Sequence, residues 1–148
     1  MQIYVFSSNN LTNIWAGVGA GMWAVSLKLA QNKGTITKAE RLQIGSLGVL
    51  YCSDTGELTT PFVVKTVPQK DAVISDVWSE SWGLPFEIAP LGSPLKRLRK
   101  EVMAKELPSV KVTGKRWNKI LYVQPNFSFQ ASNISADDWA FLFGRLGK

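Results

Sequence analysis

The chain has 148 residues, with 17 Lys and Arg against 11 Asp and Glu, a formal net charge of +6, no histidine and one cysteine. That length suits a single domain over residues 1–148 with a core of its own. Without His the commonest general base and metal ligand are gone, and one Cys builds neither a zinc cluster nor an internal disulfide, so the expectation is a binding domain, not an enzyme, with no cofactor and no metal.

Taken in order, Gln2 to Ser7 reads as a strand of β-branched and aromatic residues running into the polar turn Ser7-Ser8-Asn9-Asn10. Asn10 or Thr12 then caps a short helix through Asn13, Ile14 and Trp15, which the glycines that follow are expected to cut short. Met22 to Leu27 is a second strand, entered from Ala16-Gly17-Val18-Gly19-Ala20-Gly21. Glycines let backbone approach backbone or ligand closely, so the indole of Trp23 directly after them could wall a cavity; the alternative is a packed core residue.

Ala30 to Gly34 reads as loop and Thr37 to Leu42 as one helical turn. Leu47 to Cys52 is an apolar strand that makes Cys52 a buried thiol, Asp54-Thr55-Gly56-Glu57 closes a hairpin, and Pro61 to Val67 returns it. Pro68 to Ser81 is an irregular excursion with Trp78 inside it and Trp82 just after, and Leu84 to Leu91 resumes a strand.

Leu95, Leu98, Val102 and Leu107 lie at near-helical spacing, so Pro94 to Leu107 reads as a helix that Pro108 ends. Asn118 to Val123 reads as another strand, and Ser135 followed by Asp138 opens a final helix over Ala136 to Leu146. Several strands with a few short helices and no regular β-α alternation argue for an α+β domain with a curved or closed sheet. No run approaches the roughly 20 apolar residues of a membrane span, and the start lacks a basic signal region, so a cytoplasmic protein is expected.

The charge is concentrated. Lys96 to Lys119 holds nine basic residues against Glu101 and Glu106, a local net of +7, while the rest of the chain sums to −1. Such a region is the electrostatic footprint of a nucleic-acid binder, because phosphate neutralisation supplies most of that affinity; a solvated helix face is the alternative.

The chain resembles the PUA-like group of barrels, specifically the EVE domains and their relatives the YTH domains. Ile3-Tyr4-Val5-Phe6-Ser7-Ser8-Asn9-Asn10 is similar to the first YTH strand and its Ser-Asn-Asn turn, and Gly21-Met22-Trp23-Ala24-Val25-Ser26 to the Gly-x-Trp segment that follows. The hairpin tip Ser53 to Glu57, the segments Val77-Trp78-Ser79-Glu80 and Leu84-Pro85-Phe86, Lys115-Arg116-Trp117 and the Ser135 to Leu142 helix resemble later EVE motifs in the same order. The resemblance implies a PUA-like (EVE/YTH) curved β-barrel flanked by short helices. It also implies a reader that flips a methylated base, N6-methyladenine for instance, into a tryptophan cage.

Carried over by position, Trp23 corresponds to the first cage wall, Trp78 to the wall facing it and Trp82 to its alternate. Asn9 and Ser8 correspond to the turn that contacts the nucleoside, and Ala24 stands where YTH domains have Ser, which leaves only a backbone contact there. Lys115 and Arg116, with Arg97 and Lys96, are the expected phosphate contacts. A stacked base is worth roughly 1–3 kcal/mol per face and a buried methyl about 0.8, so the methyl alone discriminates about fourfold and polar edge contacts must supply the rest.

The expected partner is DNA or RNA carrying a modified base. The favoured setting is the specificity module of a McrBC-type restriction system, with an NTPase motor beyond Lys148 or on another subunit; the alternative is a standalone RNA-binding EVE protein. An ASCH-like enzyme acting on modified nucleosides would need a convergent Lys and acid, such as Lys28 with Glu87. A protein-protein adaptor would leave the basic stretch incidental.

Overall fold

The computed structural model describes residues 2–148. Seven strands form one curved sheet: β1 (Ile3–Ser8), β2 (Met22–Ser26), β3 (Leu47–Cys52), β4 (Glu57–Val64), β5 (Val73–Ile74), β6 (Trp82–Pro90) and β7 (Arg97–Arg99). The main path runs β1-β3-β4-β6-β2, with β5 added to β6 and β7 to β4. Seven helices flank it: α1 (Leu11–Ala20), α2 (Leu27–Ala30), α3 (Lys33–Ala39), α4 (Lys100–Glu106), α5 (Pro108–Thr113), α6 (Trp117–Leu121) and α7 (Ala136–Leu146). This is the expected α+β architecture with a curved sheet.

β1 is covered on both faces, and its alternation divides the core in two. Tyr4 and Phe6 join Trp23, Phe62, Phe86 and Phe129 on one face. Ile3 and Val5 join Val49, Leu58, Met103 and Leu142 on the other. Phe6 lies 5.2 Å from Phe86 and 5.1 Å from Phe129, the latter edge to face. β1 pairs parallel with β3, from Ile3↔Leu47 to Ser8↔Cys52, which requires the long crossover through α1, β2, α2 and α3. Cys52 is buried, as its apolar strand led one to expect.

Several elements depart from the sequence reading. α1 runs on to Ala20 through two glycines, because Gly17 is where the helix touches β2: a Cβ there would sit 2.7 Å from Trp23 Cε3 and 2.9 Å from the Met22 carbonyl. Gly21, in the left-handed conformation at φ 67°, ends the helix and returns its N–H to the Gly17 and Val18 carbonyls. The segment expected as loop from Ala30 to Gly34 instead closes α2 and opens α3, where Asn32 caps the Thr35 N–H.

The basic segment is not one helix. Arg97–Arg99 pairs with Glu57–Thr59 as an edge strand, burying Leu98, and only then does α4 begin. Asn118 to Val123 is also helical in its first part, as α6, because consecutive Ile120 and Leu121 are both buried, a pattern that a half-exposed strand does not produce. The last helix has the expected capping box, with Asp138 fully buried and accepting from the Ser135 N–H, the Ser109 N–H and the Ser109 hydroxyl. Among the described residues no helix is long and apolar enough to cross a membrane.

The two helical glycines should respond oppositely to alanine. Gly17→Ala should cost roughly 1–3 kcal/mol by overpacking against Trp23, whereas Gly19→Ala, with nothing within 4 Å of the added methyl, should gain about 0.5–1 kcal/mol. Urea midpoints at constant slope measure both.

Candidate modified-base pocket

The end of β1, the start of α1 and the middle of β2 converge on a hollow of about 320 Å³, at the small end for a ligand site. Asn10 caps α1 by accepting from the Asn13 N–H at 2.8 Å, which brings the Asn13 side chain back over β1. Its Nδ2 donates to Ser8 Oγ at 3.0 Å. Ser8 and Asn9 are in turn fixed by the hairpin tip, where the Ser53 N–H donates to the Ser8 carbonyl at 2.9 Å and the Asp54 N–H to the Asn9 carbonyl at 3.2 Å. A row of amides and hydroxyls is thus held in place along one wall.

Ala24 reaches the same hollow through a β-bulge. Trp23 pairs with Phe86 and Val25 with Gly83, so Leu84 and Pro85 together oppose Ala24. Leu84 takes the left-handed conformation at φ 51° to absorb the extra residue. Pro85 has no N–H to donate, and Ala24 has no partner in the register, so the ladder is interrupted at the hollow's edge.

Three indoles stand beside it. Trp23 is 1% exposed and closed in, its ring edge-to-face with Trp78 at 5.8 Å and 80° and with Trp82 at 5.7 Å and 68°. Trp78 and Trp82 are near-parallel, 22° apart, and stack on each other at 4.4 Å. No base fits between rings that close together, and Trp23 and Trp78 do not form parallel walls. Of the three, Trp82 lines the hollow. Trp78 is buried and pinned by its Nε1–H to the Asn13 carbonyl at 2.9 Å, while Trp82 is half-buried and, among the described residues, its N–H makes no such bond.

The structure therefore gathers Ser8, Asn9, Ala24 and Trp82 at one hollow and leaves Trp23 and Trp78 behind Trp82 as its support. Asn13 belongs with them and was missed by the sequence reading; its signal was the spacing of one helical turn from the capping Asn10. Trp15 lies away from this hollow's lining and is 44% exposed. Trp139 packs on α7, 6.2 Å from Phe143.

The hollow's lining contains one carboxylate, Glu80, and no Lys or Arg. Lys115 and Arg116 lie exposed in the turn between α5 and α6, with no ion-pair partner among the described residues. Lys96 and Arg97 are engaged within the fold instead. Lys96 Nζ donates to the Gly147 carbonyl at 2.9 Å, and Arg97 pairs with Glu57 at 3.2 Å while donating to the Pro94 carbonyl at 2.8 Å. Lys28 and Glu87 do not meet: Glu87 lines a separate hollow with Met22 and Thr66, which Lys28 does not line. Burial pushes the Tyr4 and Tyr51 phenols up, Cys52 and Glu101 adding to it at Tyr51, so both rings stay neutral at ordinary pH.

The fold that positions this hollow is shared with YTH domains of known structure. The chain matches the YTH domain of Toxoplasma CPSF4 in its apo form with a TM-score of 0.63 at 14% identity, over 99% of this chain and 88% of that one. It matches the YTH domain of the Zygosaccharomyces rouxii MRB1 protein, solved in complex with N6-methyladenosine RNA, with a TM-score of 0.62 at 15% identity, over 97% and 84%. The MmI1 YTH domain follows at 0.57 and 11%, over 96% and 92%. No protein-family model and no curated protein matches the chain. At such identities the likeness is one of fold, and the fold is YTH-like.

The different anchoring of the two stacked indoles is measurable. Trp78→Phe, which loses the bond to Asn13, should lower stability by about 1 kcal/mol, and Trp82→Phe by less than about 0.5 kcal/mol, in the same denaturant titration.

Proposed function

We propose that this domain is a modified-base reader, in which an unpaired or flipped methylated base enters the hollow and stacks on the open side of Trp82. The observation that carries the reading is the composition of that hollow: amides, hydroxyls and an interrupted strand beside an aromatic surface, without a cation. With Glu80 and no cation in the lining, a phosphate is disfavoured there, whereas a neutral, flat, hydrogen-bonding ring is matched. The YTH-like fold supports it, since the Zygosaccharomyces rouxii relative of that fold was solved with N6-methyladenosine RNA.

On this reading Trp78 and Trp23 hold Trp82 flat from behind, so one stacked face is prepared before the base arrives. Stacking contributes roughly 1–3 kcal/mol. Asn13, Asn9 and Ser8 read the base edge with both donors and acceptors, and the Ala24 carbonyl, at the interruption of the β2–β6 ladder, would accept the remaining N–H of a methylated amino group. Removing the base from a duplex costs a few kcal/mol, which favours single-stranded targets unless the basic surface offsets it. The restriction setting, with an NTPase partner, rests on the resemblance of the sequence to McrB-type recognition modules and is separated from RNA reading by the nucleic acid used in the test.

Single-stranded RNA and DNA oligonucleotides with one central N6-methyladenine or 5-methylcytosine, and their unmodified counterparts, should be titrated by fluorescence anisotropy. At least about fourfold preference for one modified strand is expected. Trp82→Ala should reduce its affinity roughly 5- to 150-fold and Asn13→Ala roughly 2- to 10-fold. Equal binding of modified and unmodified strands in both nucleic acids would overturn the reading.

A further inference from the structure

A second hollow, of about 280 Å³, is lined by aromatic residues that the first one does not use: Trp117, Tyr122 and Phe127, with Asn118, Lys119 and Gln124. Tyr122 and Phe127 stack at 4.9 Å and 29°, and Trp117 leans on Tyr51 at 5.9 Å. All three lining rings are half-buried, so each still offers surface. Asn118 and Gln124 are exposed amides, able both to donate and to accept at a base edge.

The backbone is committed to this arrangement. Tyr122 sits in the left-handed region at φ 51° and ψ 60°, a conformation that costs a side-chain-bearing residue appreciable strain. Asn133 holds it there: its Nδ2 donates to the Tyr122 hydroxyl at 3.0 Å and to the Lys119 carbonyl at 3.2 Å, and its N–H donates to the Ile120 carbonyl at 2.8 Å. Strain maintained by such support at a hollow points to a use for the ring it aims.

Charge and position define what the occupant is. Lys119 lines the hollow, and Lys115 and Arg116 precede Trp117 in the exposed turn. The chain has no Asp or Glu between Glu106 and Asp137. The two hollows share one wall, the 3₁₀ turn Pro125–Phe127: Gln124 and Phe127 face the second hollow, Pro125 and Ser128 the first. With three residues per turn, positions three apart eclipse, so a single 3₁₀ turn presents one face to each side.

We infer that the second hollow is a stacking subsite for a nucleobase adjacent to the one held at Trp82, so that a single strand crosses the Pro125–Phe127 turn with its phosphates toward Lys115, Arg116 and Lys119. The adjacency rests on the first hollow being a base site; the stacking itself does not. Binding is then strand-specific but sequence-tolerant at this second position, because any base has a face to stack.

The test uses a five-nucleotide RNA with central N6-methyladenosine, the same strand with an abasic residue on one or the other side, and the free N6-methyladenosine nucleoside, against wild type and Tyr122→Gly. Glycine suits the left-handed position, so the variant removes the ring while keeping the turn, and circular dichroism confirms its fold. One abasic placement should weaken wild type roughly 5- to 150-fold. Tyr122→Gly should lose the same factor on the intact strand, little further on the abasic one, and nothing on the nucleoside.

If both abasic strands bind wild type like the intact one, the subsite is refuted, a result that needs no variant. It is refuted equally if Tyr122→Gly weakens nucleoside and strand alike. Should the nucleoside fail to bind while the strand remains sensitive to Tyr122 and to a missing base, the reading of the first hollow fails and this one stands. No binding of any probe overturns both.

Discussion

The contact between Gly17 and the indole of Trp23 is the constraint on which the rest of the site depends. Because Gly17 has no side chain, α1 lies directly on β2, and the largest residue of the core is sealed beneath the helix instead of pushing it away. That placement fixes the first turn of α1, whose Asn13 carbonyl anchors Trp78, whose stack positions Trp82. The same turn aims the Asn13 amide at Ser8. One glycine thus sets both the aromatic wall and the polar wall of the hollow.

A division of labour follows from what lies where. The first hollow is neutral apart from Glu80, whereas Lys119 lines the second hollow and Lys115 and Arg116 precede it in the exposed turn before Trp117. Base and phosphate have opposite demands: a ring needs flat apolar surface and matched hydrogen bonds, a phosphate needs charge at a wet surface. On the proposed function, placing cations outside the base pocket lets electrostatics set affinity and salt dependence, while discrimination is left to geometry.

The elements that were legible in the sequence are those whose reasons are local. β1 is a run of β-branched and aromatic residues, the β3–β4 hairpin has its turn residues, and α7 carries Ser135 and Asp138 at capping-box spacing. The misread ones answer to distant partners. Leu98 fits a helical spacing, but pairing with Leu58 on an open sheet edge captures Arg97–Arg99 as a strand. α1 passes through its glycines because Trp23 needs one of them. The same division holds at the site. Ser8, Asn9, Ala24 and Trp82 line one hollow, but Trp23 and Trp78, which the motif order put forward as its walls, do not, and Lys96 and Arg97 look free in a list of charges and are occupied by the Gly147 carbonyl and Glu57. Composition counts charges but does not reveal their partners.

The central claim is that a modified base meets Trp82, supported by Trp78 and Trp23, at a hollow edged by Asn13 and Ala24. Protein carrying 5-fluorotryptophan, its six resonances assigned by single Trp→Phe variants, titrated with N6-methyladenosine and observed by fluorine NMR, tests it most directly. The account predicts the largest shift at Trp82, smaller shifts at Trp78 and Trp23, and none at Trp139. A titration that leaves the Trp82 resonance in place, or moves Trp15 or Trp139 most, would contradict it.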